Sequence, residues 1–501
     1  MLSLLCNMNL DLSGSTNQKH VKRHRVQVSF KPPPIYLANM LVQTAIVLLG
    51  AFVNAQCSNP YTRPSWKATS EPQKQAFLAA VKALKARPEH PSANLALWNY
   101  DQFVDAHFKA KSVAHGVPSF LPWHRAFINS YEQALRTIDP SVVLPFWDWS
   151  IDSQNPGASD VFSPAYFGTD GQGPDHCILD GVANGWSSKY PTSRQGAACI
   201  RRCFAFTALN NPTTISATLS GSVTYDSLRV AIEGVLHPGV HVQTGGSCGD
   251  MAEMYSPNDP IFFMHHAFVD RMWWRWQTSC PQFATAFGGR GSTKNDTMEA
   301  FGITVDSALS TSGNTFCYSY GSSAGDIPLK PKCPNLNDGN STNPDASSNS
   351  TLTTGGIDWY QVAIKQLLPT ASNTTSASIA SASTRPVASA THSAAPGVAS
   401  AAPIAESASL FKVAAPGTNG NSGKIAKRNL PEQTIQLPDC VSESYTGSGN
   451  NTLKYPMLVP EKWINMGKFD RFEIRRYECI TRKLIDEFNA DPTTTDPSIS
   501  N

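Results

Sequence analysis

Apolar residues recur with a helical period in several stretches of this chain. In "SEPQKQAFLAAVKALKA", Phe77, Val81 and Leu84 fall on one face, and Ser70 with Gln73 three residues on forms a capping box. "SANLALWNYDQFVDAHF", Ser92 to Phe108, predicts a second helix with Tyr100, Phe103 and His107 on one side. "PWHRAFINSYEQALRTI" predicts a third, opened near His124. Pro122 is tolerated in a first turn, and His124, Phe127, Tyr131 and Leu135 share a face. The longest is "SPNDPIFFMHHAFVDRMWWRWQ", with Asp259 as N-cap and Pro260 as the first helical residue. There Phe262, His266, Val269, Trp273 and Trp276 make one stripe, and Ile261, His265, Phe268 and Met272 make another. The pattern predicts a mainly α fold with long loops and few strands.

One apolar run has another character. "MLVQTAIVLLGAFVNA", Met40 to Ala55, is too short to span a membrane comfortably and ends in small residues. It reads as a secretory signal peptide closing a leader over 1–55, with Met40 an alternative start to Met1. The expected location is extracellular, with no membrane anchor after cleavage. Residues 56–335 carry most of the aromatic residues and cysteines and form the expected globular domain. Residues 336–428 are a loop and a Ser/Thr/Ala/Pro-rich linker that cannot build a core and reads as disordered. Within it, "GIDWYQVAIKQLLP" predicts one short ordered element, a strand. Lys427-Arg428 is a candidate processing site. Residues 429–501 form a small tail, with the amphipathic stretch "FDRFEIRRYECITRKLIDEF", expected to be removed or to shield the domain.

Net charge of the 501-residue chain is +2, which argues against nucleic acid or an acidic surface as partner. Of 11 cysteines, Cys6 lies in the leader, which leaves an even number, as an oxidised secreted protein prefers. A cut at 428 leaves even counts on both sides. Cys199 and Cys203 lack the second close pair of a zinc site. Sequons at Asn295, Asn340, Asn349, Asn373 and Asn450 fit the same compartment.

Histidines carry the chemistry. There are 12. Outside leader and linker, six fall into two groups of three: His107, His115 and His124, then His237, His241 and either His265 or His266. His115 sits in a loop marked by Gly116 and Pro118. His237 and His241 share a face if helical, which Pro238 permits only as a first-turn residue. A buried imidazole needs a hydrogen-bond partner or a metal. Three neutral imidazoles suit Zn, Cu, Fe or Ni. No HExxH occurs, and all-His coordination given twice without a thiolate points to two coppers facing each other.

"HGVPSFLPWHRAFINSYEQAL", "LPFWDWS" and "YSPNDPIFFMHHAFVDRMWWRWQ" resemble the two copper-binding signatures of the tyrosinase, catechol oxidase and haemocyanin family, over about residues 57–335. The resemblance is closest in kind to short secreted fungal polyphenol oxidases. It implies a four-helix-bundle core around a type-3 dicopper centre. One copper would take His107, His115 and His124, and the other His237, His241 and His266, the second histidine of the pair, four residues before Asp270. Asp148, Asn258 and Asp270 are candidates to orient ligand rings. For each, a helix cap or a salt bridge to Arg125 or Arg271 is the alternative.

The implied partners are a phenolic small molecule and O2, with o-diphenols oxidised to o-quinones; oligomeric state is left open. Family members that also hydroxylate monophenols often carry Asn directly after the first ligand of the second triad, where it helps a Glu to hold a water. Here Pro238 stands there and Val242 follows His241, so diphenol oxidation is expected. Glu233 is close in sequence. Some fungal relatives link a Cys, two residues before the loop histidine, to a ligand histidine; that position is Val113. A full tyrosinase, an o-aminophenol oxidase and a haemocyanin-like oxygen carrier are the alternatives.

Overall fold

The computed structural model describes residue 57 and residues 60–192, 199–313, 315–334, 453–490 and 496–499. The signal peptide, the Gly356–Pro369 strand, Lys427-Arg428, Cys440 and four of the five sequons lie outside the described residues. Asn295, the fifth, is exposed.

Helices dominate, as the pattern predicts. Helix α1, Glu71–Ala86, begins where Ser70 and Gln73 place it: the Gln73 side chain accepts the Ser70 N–H at 3.1 Å. Its Phe77, Leu78, Val81 and Leu84 face the core. The second helix is shorter than expected. A 3-10 turn covers Leu95–Leu97, and α2 proper is Tyr100–Lys109. The break comes at Asn99, whose side chain accepts the Gln102 N–H at 3.0 Å. Asn is a better cap than a helix interior residue, so the local hydrogen bond overrides the longer periodicity. Helix α3, Phe120–Arg136, starts two residues before Pro122.

Helix α4 is Pro212–Gly221 and α5 is Tyr225–Ala231. A π-helical turn, Ile232–Leu236, then leads into α6, Pro238–Gly245, with Pro238 first. Helix α7, Ile261–Ser279, begins one residue later than expected, with Pro260 flanking it. Asp259 spends its carboxylate on Arg202 at 2.8 Å, both side chains being fully buried, and also accepts the Ile261 N–H at 3.2 Å.

Strands are few. β1, Tyr61–Arg63, pairs in parallel with β4, Tyr318–Tyr320, while β2, Thr297–Met298, and β3, Ile303–Thr304, form a small antiparallel ladder. Four disulfides close the domain on itself: Cys57–Cys317, Cys177–Cys199, Cys203–Cys248 and Cys280–Cys333. Cys199 and Cys203 therefore belong to different bridges. Cys479 of the tail is disulfide-bonded as well.

The core lies between α2, α3 and α7 and is aromatic. Tyr131 stacks on Phe263 with ring centroids 3.5 Å apart, and Phe127, Phe103 and Tyr100 surround that pair. At its edge a buried ionic network ties α3 to α7 and the sheet. Arg125 meets Asp270 at 2.7 Å, Arg63 meets Glu132 at 2.6 Å, and the hydroxyls of Tyr318 and Tyr320 donate to Asp270 at 2.7 and 2.6 Å.

The tail packs on the domain. Val459 just ahead of helix α8, Glu461–Met466, Trp463 and Ile464 within it, and Ile474 of helix α9, Arg471–Ala490, pack against Val230 and Val235. Ile480 and Leu484 cover Ala217 of α4. Asp496 accepts both the N–H and the hydroxyl of Thr213, and Lys462 pairs with Glu253 at 2.5 Å. Among the described residues, no helix is long and apolar enough to cross a membrane.

Candidate metal centre

Both predicted triads assemble. His107 comes from α2, His124 from α3, and His115 from the loop after the single turn Lys111–Ala114. His237 stands at the junction of the π turn and α6, His241 lies one turn on, and His265 and His266 lie on α7. The ligand atoms of His107, His115 and His124 lie within 4.8 Å of one another, and so do those of His237, His241, His265 and His266. The triads face each other. The rings of His124 and His266 are parallel to within 10° at 4.4 Å, and Phe120 lies 4.7 Å from His124 and 5.2 Å from His237.

The π turn matters to this placement. An extra residue in the turn lets the His237 N–H reach Ile232 O at 2.9 Å, so Pro238 can open α6 without losing a needed donor. His237 and His241 then project from the same side.

Backbone carbonyls orient the rings. His107 Nδ1 lies 2.8 Å from Met254 O, His124 Nδ1 2.9 Å from Phe120 O, His241 Nδ1 2.9 Å from Met251 O and His237 Nδ1 3.3 Å from Glu233 O. This fixes those protons on Nδ1 and leaves Nε2 as the free lone pair aimed inward. The polar side-chain candidates do something else. Asp270 is bound to Arg125 and two tyrosines, Asp148 to Ser150 and Ser323, and Asn258 to Ser188 and Tyr190. Each holds structure, because the helix geometry already brings main-chain acceptors to the rings.

The donor set fits copper. His107 Nε2 and His124 Nε2 are 3.4 Å apart, and His241 Nε2 and His266 Nε2 are 3.3 Å apart. Two imidazole nitrogens held about 2.0–2.1 Å from one ion at a near-tetrahedral angle are about 3.3 Å apart. His237 Nε2 is buried with no hydrogen-bond partner, as a metal ligand is before its metal is counted. Burial, the largest cause, lowers every one of these imidazoles: His107 to about 4, His241 to about 3, and the rest well below the usual value. All six are thus neutral at pH 7, the form that binds metal.

Three further features complete the site, and the sequence names the first two without assigning them a role. His265 is fully buried beside His241, with ring centroids 4.9 Å apart, and neither of its nitrogens has a partner. Its stripe on α7 gave no means of separating it from His266. Glu233, in the π turn, accepts the Gly116 N–H at 2.6 Å and faces Arg229 at 3.3 Å, so it ties the His115 loop to the second triad. Desolvation, opposed by Arg229 and the Gly116 N–H, pushes its carboxyl up to about 7. Third, Trp463 of α8 lies 5.3 Å from the His241 ring and 6.1 Å from that of His237. Nothing local in "EKWINM" marks it as anything but an apolar helix turn. Its neighbour Gly467 comes so close to Gly116 that a Cβ on Gly116 would lie 2.1 Å from Gly467 O.

The chain is similar to several known proteins. The family described as the common central domain of tyrosinase matches residues 98–279. The tyrosinase of Streptomyces antibioticus is 32% identical over 264 residues, covering 47% of this chain and 91% of that protein. A tyrosinase-like protein of Diaporthe leptostromiformis is 31% identical over 310 residues, covering 53% and 78%. Among solved structures, a polyphenol oxidase of Thermothelomyces thermophila shares 21% identity, covers 57% of this chain and 95% of that one, and superposes with a TM-score of 0.41.

Proposed function

We propose, from the premise that this chain belongs to the tyrosinase family of type-3 copper phenol oxidases, that it oxidises o-diphenols to o-quinones with little hydroxylation of monophenols. Two coppers bound by the histidine clusters supply the one-electron steps that couple phenol oxidation to O2 reduction. Two catechols each give up two electrons and two protons, and one O2 becomes two waters. The chain's part is to hold neutral imidazoles inward, to keep the pocket dry and to seat the ring.

The observation that carries the diphenol reading is Pro238. It is buried as the first residue of α6 and offers no side-chain acceptor beside His237. Glu233 is already engaged with Gly116 and Arg229, which leaves it poorly placed to take a proton from a monophenol. The ligand assignment His107, His115, His124 and His237, His241, His266 is supported by the matched 3.4 and 3.3 Å nitrogen pairs.

The intact chain is read as a secreted, latent form. Trp463 stands where an aromatic substrate would meet the second triad, so the tail competes with substrate until it is released by cleavage near Arg428. Oxygen uptake by copper-loaded protein, tail on and tail off, with a catechol, a monophenol and an o-aminophenol tests all of this. Fast uptake with the catechol alone, and only after tail release, is expected. Equal turnover of the monophenol would overturn the diphenol reading, and no turnover with any phenol would overturn the oxidase reading.

A further inference from the structure

A sizeable cavity lies away from the metal centre, which Trp463 covers. It measures about 710 Å³ and lies on the far side of α2, behind the first triad. Its apolar wall is Trp98, Trp123, Val113, Val117, Met298 and Val305. Trp123, Met298 and Val305 are buried, while Val113 at the mouth is 58% exposed. Around this wall stand four carboxylates, Glu89, Asp105, Asp296 and Glu299. The one cation in the lining is Lys109, which is paired to Asp105 at 2.6 Å, and Lys189 outside it reaches Glu89 at 3.0 Å. The carboxylates outnumber both lysines together.

We infer that this cavity is a second, non-catalytic binding site for an aromatic monocation of the arylalkylamine class. The volume is that of a small-molecule site, the half-buried Trp98 supplies a face for a ring or an ammonium above the buried apolar floor that Trp123 helps to form, and the surplus carboxylates select positive charge. An anionic ring compound meets the same apolar wall but the wrong field. The site shares a wall with the metal centre, since Trp123 lies 5.0 Å from the His124 ring and 5.9 Å from that of His107.

The test is isothermal titration of the copper-loaded intact chain with 2-phenylethylamine, which has no hydroxyl to oxidise, in the presence of saturating azide to block the dicopper centre. Saturable binding is expected, with phenylacetate weaker by about tenfold or more. Val113→Arg at the mouth and, separately, the exposed Glu299→Arg should each weaken the amine by about tenfold while the melting temperature holds. Absence of saturable amine binding, equal binding of phenylacetate, or binding unchanged in both folded variants would each overturn the assignment. Because azide occupies the metals, none of these results depends on which phenol the enzyme oxidises.

Discussion

Replacing Trp463 with alanine should unmask the metal centre of the intact chain. The side chain is 8% exposed and packs on Val230, Val235 and the His241 ring. Truncating a large aromatic in a core costs about 3–5 kcal/mol. Trp463 sits at an interface rather than at a core centre, so a loss of roughly 2–3 kcal/mol of docking energy is the working figure. At 1.4 kcal/mol per decade this lowers the docked-to-open ratio by about 30- to 140-fold. On the latent reading proposed above, turnover requires the open state, so catechol oxidation by the intact chain should rise by the same factor until the open fraction saturates. The other anchors, Asp496 on Thr213, Lys462 on Glu253 and Leu484 on Ala217, keep the tail attached. The assay is oxygen consumption with a catechol, for parent and variant, each before and after the tail is cut away. The ratio of tail-free to intact rate should collapse in Trp463→Ala while the tail-free rates match. An intact variant no faster than the intact parent would refute the placement of Trp463 over the site as the cause of latency.

Other outcomes follow from the same geometry. Gly116→Ala puts a Cβ 2.1 Å from Gly467 O at a residue with φ +68°, so it should activate the intact chain by pushing the tail off, at some cost in melting temperature. Tail docking should weaken as pH rises. Glu473 is shifted upward, chiefly by burial and then by Asp470 and Asp226, against Arg229 and Arg476. The docked carboxyl holds its proton to higher pH than the free one, so docking takes up a proton and the gain is lost as pH climbs through and above the ordinary glutamate range; the latent fraction measured across pH 4 to 8 checks this. His266→Ala should drop bound copper by about one equivalent by elemental analysis, whereas the same loss in His265→Ala would move the ligand assignment to its neighbour. Asp270→Ala strands Arg125, whose side chain is fully buried, and should cost about 3–5 kcal/mol in denaturant unfolding.

Much of the site was written in local spacing. The i, i+4 relation of His237 and His241, the loop around His115 and the apolar stripes beneath His107 and His124 follow from helical period and from glycine and proline chemistry. These depend only on residues a few positions apart. The apolar period overruns α2 because Asn99 caps better than it propagates, and α7 starts one residue past its sequence signal because Asp259 has a long-range partner in Arg202.

What the sequence could not contain is which distant groups meet. That carbonyls of Met254 and Met251 rather than carboxylates aim the rings, that Asp270 serves Arg125 and two tyrosines, and that a tail tryptophan more than 200 positions away lands on His241 are outcomes of tertiary packing. Helical periodicity is a short-range property of the backbone and can be read along the chain. Partnership between groups far apart in sequence depends on how the helices pack, and is decided only once the whole core closes.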